Sequence, residues 1–529
     1  MRRSRSWLAM SLFVALVGSV TRVGAQPPDH HTLAEIRDEG LRRSQVMDHI
    51  GWLSDVYGPR VTGTPAIEAA GAWARQVLED WGLEVRTERF RFGHGWSLVR
   101  FHAHMVEPQV MPIIGFPRSW SSSTDGTVTA EVVRIDIRTG EDLERLRGTL
   151  AGKIVLPQTA REVPMLEGNV VLRMSEAQLA DASRTQVPPP APPRRASASA
   201  ARTFAAQVQQ FYRDEGVVAI LDRGSDDVTV GAGSNLPIRT QRTDGGTIFV
   251  GSGGPRDDRA GSQVPAVTIA VEHYNRMVRL LDKGISVSVE LHVETEFHPE
   301  ASAPESQNAF NLLAELPGTD LADEVVLIGA HFDTTHAGTG ATDNAAGVAA
   351  MMEVMRILKA IGAEPRRTIR LALWGGEEQG LLGSREYVRR HYANRDALRP
   401  DHARLSAYYN IDNGAGRLRG IWLQGNSAAA AVFEDWIVSM RDLGVTTMGP
   451  RSVSGTDHVP FDAVGLPGFQ FIQDRLEYNS RTHHSNMDVV DRVQREDAVQ
   501  MAVVAAIFAY NTAMRDDLIP RKPAPVSSR

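Results

Sequence analysis

Residues 325–380 read VVLIGAHFDTTHAGTGATDNAAGVAAMMEVMRIL, then KAIGAEPRR, then TIRLALWGGEEQG. The first apolar run ends in His331-Phe332-Asp333. A Gly/Thr-rich loop then delivers Asp343-Asn344 to an Ala-rich helical segment. The second apolar run ends in Gly375-Gly376-Glu377-Glu378. Short apolar runs alternating with helical patterns predict a mainly parallel sheet covered on both faces. In such sheets the chemistry gathers at the carboxyl ends of the strands. Here two strand ends place His331, Asp333, Asp343, Glu377 and Glu378 close together, a composition suited to metal binding.

Downstream the same texture continues. Strands are expected at 325–329, 369–374, 405–411, 421–423 and 468–472. Helices are expected at 344–360, 378–392, 427–443 and 496–514. Asp412 ends another strand in YNIDNG, and His483-His484 open a loop reading HHSNMD. Upstream, 29–57 has helical spacing, 58–65 is a Gly/Pro loop, 66–81 is an amphipathic helix and 83–92 alternates as a strand. Between 126 and 300 the pattern changes to short strands at 128–137, 153–156, 216–221, 264–269 and 285–293, with short helices. The stretch 187–200 is Pro-rich and reads as an extended loop.

The chain has 529 residues, a net charge of -7 and no cysteine. The charge gives no case for a nucleic-acid partner, and disulfides are impossible. Arg2, Arg3 and Arg5 precede an apolar stretch, Trp7 to Val20, and small residues before Gln26. That is the pattern of a cleaved export signal, so a periplasmic or secreted protein without a membrane span after cleavage is expected. The expected divisions are 1–25 signal, 26–125 and 301–515 catalytic domain, 126–300 insert, and 516–529 disordered tail.

A two-metal hydrolytic site explains the residue types. Imidazole and carboxylate are ordinary zinc ligands. An Asp at a helix start can bridge two ions. Adjacent Glu377 and Glu378 can divide the work, one binding metal and one acting as general base. His331 and Asp333, two apart on a strand end, face one side, so Asp333 can orient the imidazole.

The motifs GAHFDT (329–334), ATDNAAG (341–347), WGGEEQGLLGS (374–384) and His484-Ser485 with Asp488 closely resemble the di-zinc exopeptidases related to carboxypeptidase Q, the secreted bacterial aminopeptidases and glutamate carboxypeptidase. The resemblance implies the zinc-exopeptidase fold and two zinc ions. It implies that Asp343 bridges them, that His331 and Asp412 hold one, and that Glu378 and His484 hold the other. Tandem His483 leaves that last ligand open by one position, with Ser485 and Asp488 favouring His484. Glu377 matches the general base, Asp333 the carboxylate behind His331, and a cis peptide is implied after Asp343. The insert, with its VPAV at 264–267, resembles a protease-associated domain.

The resemblance implies hydrolysis of a terminal peptide bond, with aminopeptidase action favoured and a carboxypeptidase or dipeptidase of the carboxypeptidase Q type as the alternative. A glutaminyl cyclase and a receptor-like binding protein are further alternatives. Glu477 could hold an α-amine, Arg475 or Arg481 a carboxylate, and Tyr478 and His458 are placed near the pocket.

Overall fold

The structure is a computed structural model that describes residues 29–163, 171–184, 195–224, 244–300, 303, 307–393 and 397–522. The expected leader and residues 187–194 of the Pro-rich stretch lie outside the described residues.

Two eight-stranded sheets carry the fold. In the first, Leu321–His331 pairs in parallel with Arg367–Trp374 on one side and with Leu405–Asn410 on the other, and Leu405–Asn410 pairs in parallel with Gly468–Gln473. These four strands form the centre. Ala309–Leu316 and Glu84–Phe90 extend one edge antiparallel. Leu418–Trp422 joins the other edge antiparallel, and Thr447–Gly449 lies beyond it. The α/β class and mainly parallel mixed sheet match the sequence pattern.

Both faces are covered, as the near-continuous apolar strands require. Val326, Ile328 and Ala330 face one core with helices Ala346–Ala360 and Arg495–Met514. Leu327 faces the other with Tyr387, Tyr408 and Phe461. The alternation is the period of two dictated by the pleat. Helix Arg495–Met514 is long and apolar enough to cross a membrane, but 94% of that window is buried in this core. Helix Ala346–Ala360 buries Glu353, which takes Arg356 at 2.8 Å, and Arg356 reaches Glu39 at 2.7 Å. Removing one member of such a buried set costs about 3–5 kcal/mol.

The second sheet runs in the order Met111–Pro112, Gly95–Glu107, Ser288–His298, Thr127–Arg134, Ile154–Leu156, Ala219–Asp222, Ala266–Ile269 and Gly115–Pro117. Its strands start at Gly95, well before the boundary expected at 126. The reason is a distant pairing: Phe101, Ala103 and Met105 lie opposite Val293, Leu291 and Val289. Helix Val271–Leu281 packs Tyr274, Met277 and Val278 against this sheet.

Two further expectations change. Residues 195–200 open helix Arg195–Asp214 rather than extending a loop, consistent with their Ala content. Residues up to Lys522 are packed rather than disordered. Ile519 is buried and its N–H donates to Ser406 Oγ at 3.2 Å, while Arg521 donates to the His402 carbonyl at 2.6 Å. Residues 523–529 lie outside the described residues.

Candidate metal centre

The four central parallel strands end on the same edge, about 5 Å apart from neighbour to neighbour. His331 ends one of them. Glu377 and Glu378 follow Trp374, Asp412 follows Asn410, and the loop after Gln473 carries Tyr478, His483 and His484. Asp343 comes from the loop between Leu321–His331 and helix Ala346–Ala360, and the Asp343–Asn344 peptide is cis. Gly340 starts that turn at φ 69°, where a Cβ would meet Thr334 Cγ2 at 2.1 Å, so only glycine fits.

The carboxylate of Asp343 lies between two imidazoles. Its Oδ1 is 3.1 Å from His331 Nε2, and its Oδ2 is 3.5 Å from His484 Nε2. His331 Nε2 is also 3.4 Å from Asp412 Oδ1, and His484 Nε2 is 2.8 Å from Glu378 Oε2. His331, Glu377 and Asp412 form one group whose ligand-type atoms lie within 4.8 Å of each other, and His331, Asp343 and Glu378 form another. His483 Nε2 is farther from Asp343, at 3.8 Å, and its ring packs on Tyr478 with centroids 4.6 Å apart.

Four carboxylates thus share a mostly buried space with three imidazoles. Asp343 Oδ2 and Glu378 Oε1 are buried and accept no hydrogen bond among the described residues. Buried carboxylate oxygens need a partner, and the mixed N and O donor set suits zinc. The residues present therefore fit the cation that the motifs imply. Burial first, then the Asp412, Asp457 and Glu378 carboxylates, push the Glu377 carboxyl well above its usual range, against the pull of His331.

The supporting shell differs in detail from the sequence reading. The His331 ring is held by the carbonyl of Asp333, 2.9 Å from Nδ1, whereas the nearest Asp333 carboxylate oxygen is 3.8 Å away. That carboxylate instead accepts the backbone N–H of Glu377 at 3.0 Å and of Glu378 at 3.3 Å, and the Thr62 hydroxyl at 2.9 Å. Asp333 therefore holds the Glu377-Glu378 turn. Asp488 plays the same part for Asp343, accepting the Thr342 N–H at 2.6 Å and the Asp343 N–H at 3.2 Å.

Arg60 was not singled out from the sequence, where its Gly/Pro neighbours read only as a loop. It is fully buried. Its guanidinium donates to the carbonyls of Phe332 at 2.9 Å, Leu53 at 2.5 Å, Thr339 at 3.4 Å and Gly340 at 3.3 Å. It ties the His331 loop to the Asp343 loop.

A cavity of about 330 Å³ opens beside Glu378 and His484. One wall is the first sheet's loops, including His336. The other comes from the second sheet's body, with Trp120, Val250 and Arg256. Glu477, Arg475, Arg481 and His458 do not line it. The wide turn Tyr478–Thr482 folds Glu477 back onto Arg492, at 3.2 Å, and Arg481, at 3.5 Å. Arg475 is spent on Asn413 Oδ1. His458 is buried with Nε2 3.1 Å from the Val453 carbonyl. Tyr478 does reach the metal cluster, through the His483 ring.

A mixed sheet with a cluster of carboxylates and imidazoles at its carboxyl edge is an arrangement suited to a metal-dependent hydrolase. Residues 311–509 match the model of peptidase family M28, and this match together with the relatives below supports a zinc metallopeptidase. It is 26% identical to carboxypeptidase Q of Mus musculus over 488 residues, covering 91% of this chain and 88% of that protein. A shorter match, 26% over 201 residues, covers 36% of this chain and 42% of aminopeptidase YwaD of Bacillus subtilis. Among solved structures, a peptidase M28 precursor from Shewanella amazonensis shares the fold with a TM-score of 0.64 at 24% identity, covering 93% of this chain and 99% of that one. An aminopeptidase from Aneurinibacillus shares it with a TM-score of 0.53 at 21% identity, covering 94% and 99%.

Proposed function

We propose that this chain is a di-zinc exopeptidase in which Asp343 bridges the ions, His331 and Asp412 hold one, and Glu378 and His484 hold the other. The observation that carries the reading is the position of Asp343, with one carboxylate oxygen toward each imidazole, at 3.1 and 3.5 Å. Zinc bound there would supply an activated water and polarise the scissile carbonyl.

The protein's own groups supply the proton traffic and the geometry. With cations beside it to favour its ionised form, Glu377 would take the water's proton and pass it to the leaving amine. Its backbone is fixed by Asp333, so the carboxyl is aimed before substrate arrives. Burial, then Asp343, Asp412 and Glu378, push the Tyr478 phenol well above its usual range. It therefore stays protonated and can donate a hydrogen bond to a peptide oxygen.

Glu477, the candidate for an α-amine, is engaged by Arg492 and Arg481, and Arg475, a candidate for a carboxylate, is engaged by Asn413. Relatives named for carboxypeptidase and for aminopeptidase activity keep both ends in play. Export before action is part of the proposal and rests on the leader-like sequence alone.

The test is zinc content per chain, measured with dipeptide hydrolysis before and after chelation. Two zinc ions and chelator-sensitive hydrolysis support the reading. One ion with cyclisation of N-terminal glutamine would replace it with a glutaminyl cyclase, and no zinc with no turnover would replace it with a binding protein.

A further inference from the structure

Arg256 is the one permanently charged cation among the described residues lining the cavity. It comes from the second sheet's body, yet it faces the same space as Glu378 and His484. Its guanidinium carbon sits 4.4 Å from the Phe92 ring centroid and 5.9 Å from that of Trp120. Its backbone carbonyl accepts the His94 N–H at 2.8 Å, which fixes where the side chain starts. Stacking on two aromatic faces favours the guanidinium plane. It leaves the N–H groups to be satisfied elsewhere.

One of them is not satisfied among the described residues. Arg256 Nη1 is buried with no hydrogen-bond partner, and among the described residues no carboxylate lies within ion-pair distance of Arg256, the Asp333 carboxylate acting on it from farther off. A charged donor left unpaired in a buried position is costly, and a carboxylate fits this fork with two parallel hydrogen bonds. The rest of the cavity offers no competing charge. Glu378 is its one acid, and that acid faces His484 at 2.8 Å. His336 is held near 4 by burial, so it is neutral at physiological pH. The cavity therefore has a spare positive charge and no spare negative one. An α-ammonium entering it would find no free acid. An α-carboxylate would find Arg256.

We propose that Arg256, contributed by the inserted body, binds the free α-carboxylate of short peptides and so directs this enzyme to carboxypeptidase or dipeptidase action. The proposal rests on the hydrolytic reading of the metal centre. The cavity is at the small end of ligand-sized pockets, which suits the last residue or two of a peptide. The insert then has a defined role, since the cavity wall that reads the substrate terminus belongs to it.

The experiment uses the full zinc-loaded chain and peptides sharing one scissile bond: the free acid, its C-terminal amide, its N-acetyl form, and an amide whose last residue is Glu. Amidation should raise KM roughly tenfold to a hundredfold, the worth of a paired charge-assisted hydrogen bond, and N-acetylation should not. In Arg256→Gln the acid should become as poor as the amide. Arg256→Lys should recover part of the preference, because it keeps the charge and loses the fork.

Calorimetric binding of a product amino acid and of its amide gives the same comparison without turnover. Wild type should bind the acid preferentially and Arg256→Gln should not. Equal KM for acid and amide in the wild type, or an undiminished preference in Arg256→Gln, overturns the proposal. Efficient cleavage of the Glu-terminated amide would overturn the α-carboxylate assignment in favour of an acidic side chain. Absent turnover with preserved acid-over-amide binding would count against the hydrolytic reading and support this one.

Discussion

The backbone N–H of Val250 donates to the carbonyl of His484 at 3.0 Å. Val250 lies in the inserted body, and His484 is the proposed ligand in the loop after the last central strand. Two residues on, Asn486 accepts the Ile248 N–H at 2.8 Å and donates to the Gly246 carbonyl at 3.0 Å. At the other end of the loop, Leu172 and Leu476 exchange backbone hydrogen bonds of 2.9 and 3.0 Å. The inserted body therefore grips the loop at both ends. His484 has φ 60°, in the left-handed region that non-glycine residues avoid, and these bonds hold it there.

Loosening that grip should weaken metal binding. Asn486→Ala removes both side-chain bonds to the insert without touching a proposed ligand. Zinc affinity should fall by roughly tenfold, the usual scale for losing support behind a ligand. Competition with a chromophoric chelator measures it. An unchanged affinity would mean that the loop holds His484 without help from the insert.

Glu377→Gln keeps the shape and removes the base. Turnover should drop by roughly 10²–10⁴-fold, while zinc content stays at the wild-type level. Steady-state kinetics alongside metal analysis separates the two. Near-normal kcat in fully loaded protein would remove Glu377 from the base role.

Arg60→Met should destabilise the whole catalytic domain. The carbonyls of Leu53, Phe332, Thr339 and Gly340 would lose their donor, and Asp333, Asp343 and Asp488 would lose a nearby buried cation. Removing one side of a buried charged network costs about 3–5 kcal/mol. Urea unfolding of the two proteins, compared at equal m-value, gives the number.

Acid should weaken the fold through buried histidines. His49 packs between Trp73 and Trp81, with ring centroids 6.1 and 5.4 Å away, and burial, assisted by Arg356, lowers it to about 4. An unfolded histidine titrates near 6.5. Between those values the unfolded chain binds a proton and the folded chain does not, so stability falls as pH drops from about 6.5 to about 4. The slope approaches ~1.4 kcal/mol per pH unit for each such group. His49→Phe should therefore lose about 2–3 kcal/mol less than wild type between pH 7 and pH 4.5. Burial also lowers His336 and His458 to about 4, so the slope should shrink rather than vanish. Urea midpoints at the two pH values check it, and identical losses would exclude His49.

What the sequence determined by itself is local or periodic. The strands that end in His331 and Trp374 were legible because their apolar runs stop where polar residues begin. The group His331, Asp343, Glu377, Glu378 and Asp412 was legible because ligand-type residues recur at or just after successive strand ends, and parallel strands bring those ends together, whereas His484 was preferred to His483 only through the family resemblance. Strand Gly95–Glu107 was not legible, because its apolar face is defined by pairing with Ser288–His298, far along the chain. The same holds for single side chains. Glu477 and Arg256 look alike in a sequence, as charged residues in loops. Only the tertiary structure sets Arg492 and Arg481 against the first and leaves the second stacked on Phe92 with no ion-pair partner among the described residues. Whether a charge is free to bind a ligand depends on which partners the fold places within hydrogen-bonding reach, and those contacts are made across elements that no local pattern connects.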